Sequence, residues 1–293
     1  MQFNHTLSAI LRGHWMLDRQ WAESQLPLVL LMLQGKPVSF VERTGNEGVE
    51  QPFVIDPATM TRYSWMGGEN PRIPDNCVGV IPISGPITKY NGDCGEPGSI
   101  QRNSWLLQME KRQSIGSIIL MLDTPGGEAR AAASSMQIIK KSKKPILAFV
   151  DGMSASLGVW YTSAARETYL SSKRDEIGSI GSYVTFFDFR GWFEKEGIKI
   201  HEIYAPQSED KNKDYREALK GNYDLILQDL KVHVDDFIAF VKQERPKSAQ
   251  MEKEWNSGKM FYADEAIKLG LADGIKTFDQ VVSKAAWLAK RTK

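Results

Sequence analysis

Ile118-Ile119-Leu120-Met121-Leu122-Asp123-Thr124-Pro125-Gly126-Gly127 is a short apolar run that stops on a Pro-Gly-Gly break. A run this short has the length of a buried strand rather than of a helix. Proline and paired glycines end regular structure. The residues that follow, Ala129 to Lys141, are alanine-rich and favour a helix. The same grammar recurs on both sides. Upstream, Val78 to Ile83 reads as a strand ended by Gly85-Pro86, followed after a polar loop by a helical run to Lys111. Downstream, Pro145 to Val150 is a further apolar run, broken at Asp151-Gly152, with a helix-prone segment to Ala165. Short apolar runs alternating with helical stretches predict repeated βαβ units. The expected class is α/β, with a mostly parallel sheet flanked by helices.

Further out the pattern continues. Tyr183 to Phe189 and Ile198 to Tyr204 read as strands. Leu225, Leu227, Leu230, Val234, Phe237, Ile238 and Val241 recur at helical spacing within 221–245. Met260 to Ile275 and Phe278 to Leu288 read as two helices. Ahead of the first strand, Trp15, Leu17, Trp21, Leu26, Leu30 and Leu33 give residues 1–45 a helical reading. Residues 45–76 are rich in glycine and proline and read as a boundary or extended arm outside the core. The expected division is an arm, 1–76, and a catalytic domain, 77–293.

Composition narrows the function. The chain has 293 residues, 42% hydrophobic and 25% charged, enough apolar material for a large core. Lys+Arg number 37 against 36 Asp+Glu, so the net charge of +1 gives no support to a general nucleic-acid binder. Cys77 and Cys94 form no CxxC, and His5, His14, His201 and His233 lie far apart with no HExxH. No metal, nucleotide or other cofactor is expected. The most apolar early stretch, Leu26 to Leu33, is too short to span a bilayer. The chain is expected to be cytoplasmic, without a membrane anchor.

Two glycine-rich breaks fall at predicted strand ends, the edge where open α/β sheets bind ligands. The first is Asp123 to Gly127; a plain strand-to-helix turn is its other reading. The second is Asp151-Gly152-Met153-Ser154-Ala155-Ser156-Leu157-Gly158. A serine where a helix begins has the geometry of a nucleophile with an oxyanion donor on the next N–H. A simple N-cap role for Ser154 or Ser156 is the alternative. No histidine lies near Ser156 in the chain, and His201 falls in a predicted strand. A lysine base would need its pKa lowered from about 10.4 toward roughly 7–8. Ser208 to Asp214 contains two lysines, Lys211 and Lys213, although its composition alone reads as a solvated loop.

Together these pieces resemble the signal peptide peptidase A (SppA) family of the ClpP/crotonase superfold. Val80-Ile81-Pro82-Ile83-Ser84-Gly85-Pro86-Ile87 matches its first-strand element V-x-x-I-x-G-x-I, and Asp123 to Gly127 its D/N-S/T-P-G-G. Gly152 to Tyr161 matches G-x-x-A-A-S-G-G-Y-Y, with Ser154 in place of an alanine and Leu157 in place of a glycine. Gly178-Ser179-Ile180-Gly181 matches G-S-I-G, and Gly258, Phe261, Ala266, Gly270, Leu271 and Asp273 fit the last motif without a gap.

The resemblance implies a serine endopeptidase with a Ser–Lys dyad acting through an acyl-enzyme. Ser156 would be the nucleophile, Gly127 and Leu157 the oxyanion donors, and Ser179 an auxiliary hydroxyl. Lys211, three residues after Ser208, would be the base, with Lys213 second. The implied partners are a peptide or protein substrate and further copies of the chain in a homo-oligomer. The absence of an anchor suggests the phage and prophage branch, whose members act in capsid assembly and maturation, so capsid or scaffold proteins are implied substrates. A crotonase-like acyl-CoA enzyme and a catalytically silent assembly scaffold are the competing readings on the same fold.

Overall fold

The computed structural model describes residues 15–17, 51–65, 73–92, 95–185, 188 and 190–291. Among them, nine strands form one sheet. Its central strands are β4 (Cys77–Ser84), β5 (Ile115–Thr124) and β7 (Ile146–Ala155), paired in parallel in the order β4-β5-β7. The far edge of β7 carries two parallel neighbours, β8 (Glu167–Leu170) along its first half and β9 (Glu176–Gly178) along its last residues. Antiparallel strands close both sides: β2 (Phe53–Ile55) and β3 (Arg62–Ser64) beyond β4, and β10 (Met260–Tyr262) beyond β9. The short β11 (Gly274–Ile275) pairs with β8. A separate two-stranded ribbon joins β1 (Trp15–Leu17) to β6 (Gly126–Glu128).

The apolar runs become strands because both faces are covered. Side chains alternate along a strand. Ile118, Leu120, Leu122, Ile146, Ala148 and Val150 enter the larger core cluster, while Ile119, Leu147 and Phe149 enter the other. The first face is covered by α1 (Ser99–Lys111), α2 (Ala132–Lys141) and α3 (Leu157–Ala164). Two short helices, α4 (Arg190–Lys195) and α5 (Lys213–Ala218), precede the long α6 (Asp224–Glu244), and α7 (Glu252–Trp255) and α8 (Ala263–Lys268) follow it. The second face is closed by α9 (Phe278–Ala289), whose Val281, Val282 and Ala285 are fully buried. Thr277 opens α9 with a capping box, trading bonds with Gln280.

Trp160 of α3 stacks on Phe240 of α6 with ring centroids 4.5 Å apart. Just past α6, the guanidinium of Arg245 pairs with Asp273 at 2.6 Å. It also donates to Thr162 O at 2.8 Å and to the Thr168 hydroxyl. One buried cation thus joins the end of α6, the last turn of α3 and the start of β8.

The α/β class, with its mostly parallel sheet flanked by helices, is as expected. Several element assignments need correction. Trp15 to Leu17 is a strand, not a helix, because the free edge of β6 pairs with it; the rest of 1–45 lies outside the described residues. Residues 53–55, expected outside the core, are buried and pair with β4. The strand β7 does not stop at Asp151-Gly152 but runs on to Ala155, with Gly152 at φ 116° where the register with β5 shifts. No strand forms over 198–204; this stretch has no sheet edge beside it, and Ile203 stands 93% exposed. The described part of 183–189 forms no strand either, while Phe186, Phe187 and Phe189 lie outside the described residues. Residues 260–275 form a strand, a short helix and another strand rather than one helix. Among the described residues, no helix is long and apolar enough to cross a membrane.

Candidate active site

The parallel strands β4, β5 and β7 all end on the same side of the sheet, and the predicted motifs lie there. The loop after β4 is stitched to the loop after β5. Gly85 N–H donates to Asp123 O at 3.0 Å, Ile87 N–H to Gly126 O at 2.8 Å, and Glu128 N–H to Ile87 O at 2.8 Å. Thr124 closes the seam: its hydroxyl donates to Gly85 O at 2.7 Å and accepts from Gly126 N–H at 3.1 Å. Gly127 sits so tightly in this seam that a Cβ there would lie 2.0 Å from Ile87 O. Only glycine lets the backbone come that close.

The direction of the Gly127 amide follows. Gly126 O and Glu128 N–H both face Ile87. Main-chain groups of alternate residues point to opposite edges of a strand. The Gly127 N–H therefore faces away from Ile87, toward the edge of β6 that pairs with β1.

Ser156 links β7 to α3. Its φ is 50° and its ψ −112°, outside the helical and extended wells. Such a backbone costs about 1–3 kcal/mol and persists only where neighbours enforce it. Here Ser156 N–H donates to Gly178 O at 2.7 Å, and Ser156 O accepts from Val159 N–H at 2.8 Å. Ser156 stands at the N-cap position of α3, yet its side chain makes no capping bond. The capping alternative for its hydroxyl is thus not realised. Leu157 N–H, at the first helical position, has no intrahelical acceptor and lies at the positive end of the helix.

Ser154, two residues earlier, is fully buried, and its hydroxyl has no hydrogen-bond partner. It lies beneath α3: a Cβ on Gly158 would come within 2.7 Å of its Oγ and 2.8 Å of Thr124 Cγ2. Gly158 is thus where α3 approaches the ends of β5 and β7 most closely. The helix also packs against β6, bringing the Leu157 and Gly127 regions together. Ser179 follows β9 with φ 55°, and its N–H is held by Lys259 O at 2.9 Å.

Both lysines are exposed in the segment between Ser208 and Asp214. Lys211 is exposed in the turn after Ser208, its N–H bonded to Ser208 O at 3.1 Å. Among the described residues, no hydrogen bond or ion pair joins its ammonium to Ser156. Lys213 donates to Asp210 at 2.7 Å, and this bond and charge hold its ammonium protonated, raising its pKa above the usual lysine range. His201 is exposed in irregular chain. Sequence reasoning quoted Thr124 and Ile87 within motifs but gave neither a role. The Thr-Pro-Gly spacing was the one available signal, since a threonine two residues before a glycine can accept its amide hydrogen.

A serine at a positive φ, beside the start of a helix and a glycine strand, is an arrangement that can carry acyl transfer. Residues 138–292 match the model of peptidase family S49, and the chain belongs to that family. It is 27% identical over 183 residues to a protein of Methanocaldococcus jannaschii that bears a protease name, covering 62% of this chain and 58% of that one. It is 24% identical over 219 residues to protease 4 of Haemophilus influenzae, covering 74% of this chain and 35% of that one. Among solved structures it is similar to a membrane-bound stomatin-specific protease with a bound substrate peptide, at 19% identity and a TM-score of 0.44 over 69% of this chain and 76% of that one. The chain thus spans about three fifths and one third, respectively, of those two relatives' lengths.

Proposed function

We propose that the protein is a serine endopeptidase in which Ser156 attacks the peptide carbonyl. The observation that carries this reading is the backbone of Ser156: a positive φ at the junction of β7 and α3, with a hydroxyl not used as a cap. Ser156 Oγ adds to the carbonyl carbon, and the carbonyl oxygen takes the negative charge. The N–H groups of Gly127 and Leu157 stabilise that oxyanion. The base accepts the serine proton and then donates it to the leaving amine, leaving an acyl-enzyme that water hydrolyses by the reverse sequence. Lys211 is the base in this reading. The ion pair of Lys213 with Asp210 supports the choice, because a lysine held protonated is a poor proton acceptor. Ser179 lies where β9 meets the elbow and helps to orient the ammonium.

In this reading the site is completed by a second copy of the chain. Trp192, Ile198, Ile200 and Ile203 are 57%, 49%, 54% and 93% exposed, and the Lys211 turn lies in the same exposed stretch. An apolar surface of this kind marks an interaction site. A neighbouring copy would cover it and fix Lys211. The catalytic unit reaches back to residue 53 in this reading, since β2 belongs to the sheet. The reading places the protein in the cytoplasm; the buried free thiol of Cys77 suits a reducing compartment. Capsid or scaffold proteins are the proposed substrates, to be sought by mass spectrometry of co-expressed neighbouring gene products.

The direct test is covalent labelling with a fluorophosphonate. One adduct on Ser156, absent from Ser156→Ala, is expected. An unlabelled protein, or an adduct on another residue, would overturn the assignment. The same result separates the peptidase from a crotonase-like acyl-CoA enzyme and from a silent scaffold.

A further inference from the structure

The ribbon β1–β6 stands apart from the main sheet and uses the strand that carries Gly127. One edge of β6 is taken by Ile87. The other edge, toward which the Gly127 N–H points, is taken by residues 15–17. The register is antiparallel, with Met16 opposite Gly127, Trp15 opposite Glu128 and Leu17 opposite Gly126. An extended peptide recognised through its main chain would add to this same edge. The two cannot occupy it together.

We propose that residues 15–17 are an internal occupant of the substrate-peptide strand position, shielding the Gly127 amide until an extended peptide displaces them. The proposal rests on the reading of Gly127 as an oxyanion donor. A pairing of three residues is short enough to give way to a longer peptide. Because the segment is tethered in the same chain, it competes without needing high affinity. Its antiparallel direction assigns the direction in which a substrate runs past β6.

The test uses the full chain carrying Ser156→Ala, with and without Met16→Pro. Proline removes the main-chain N–H of residue 16 and does not sit within a paired strand. The probe is a fluorescein-labelled peptide with the sequence of residues 11–21, followed by fluorescence polarisation. The Met16→Pro protein is expected to bind it about tenfold more tightly or better, since the fraction of open sites rises. Hydrogen exchange at the Gly127 amide should quicken, while Gly126, Glu128 and strands β4, β5 and β7 stay protected and report an intact fold. Equal binding by the two proteins, with that core protection kept, overturns the proposal. Fluorophosphonate labelling of the chain with Ser156 intact reports the nucleophile separately. Loss of labelling with the tenfold binding change retained would remove the catalytic reading and leave the occupied strand position standing.

Discussion

Ser154 and Ser156 sit two residues apart on one strand end, and their surroundings assign them opposite fates. Ser154 is sealed beneath α3 with an unpaired hydroxyl, a group whose burial costs about 1–3 kcal/mol. Ser156 turns the chain through a positive φ and leaves its hydroxyl uncommitted to the helix. Ser156→Ala should therefore lower peptidase turnover by about 10³-fold or more, the usual consequence of removing a nucleophile. Ser154→Ala should keep turnover within about tenfold, since its hydroxyl is not at the reacting centre. Turnover assays on the two purified variants check this, and the reverse order would transfer the role to Ser154. The lysines divide similarly. Lys211→Met should be inactive across pH 6 to 10, whereas Lys213→Met should retain activity, because Lys213 is already committed to Asp210. Full activity in both would return the search to His201. At this scale the sequence was legible where a backbone break coincided with a small residue. It was not legible which serine would sit at the positive-φ junction, because both are buried, Ser156 at 1% exposure, and their difference depends on how α3 crosses the strand ends at Gly158.

The central strands were legible because each is a short apolar run buried on both faces and closed by glycine or proline. The elements misread are those whose form depends on a distant partner. Trp15 to Leu17 has helical spacing but lies on the edge of β6, and residues 53–55 look like turn-rich linker but complete β4. Conversely, the alternation of Ile198, Ile200 and Tyr204 finds no neighbouring strand and stays irregular. The strand β4 also carries a titration signature. Burial of Cys77, reinforced by Asp56 and Asp75, pushes its thiol up to about 11 from an ordinary 9.0. The unfolded chain then releases this proton at lower pH than the folded one, so stability falls as pH rises from about 9 toward 11 and is unaffected by this group below that window. Urea unfolding midpoints measured at pH 8 and pH 10.5 should drop more for the native chain than for Cys77→Val. Equal drops would mean that the thiol ionises alike in both states.

For the whole molecule, the proposal that a second copy covers the exposed residues Trp192, Ile198, Ile200 and Ile203 and fixes Lys211 sets two expectations. Sedimentation at micromolar concentration should show a species heavier than the 33.0 kDa monomer. Co-expressed Ser156→Ala and Lys211→Met chains should form mixed oligomers about tenfold or more above either parent in activity, because an intact serine and an intact lysine can then meet across the contact. A fully active monomer would remove both expectations. Arg245 ties the end of the long helix α6 to the Thr162 carbonyl of α3, whose other end carries Ser156 and the Leu157 amide. With the Trp160–Phe240 stack as a second point of attachment, α3 cannot pivot independently of α6. The two helices are thus geared: a displacement at the end of α6 arrives at the β7–α3 junction as a change of pitch of α3.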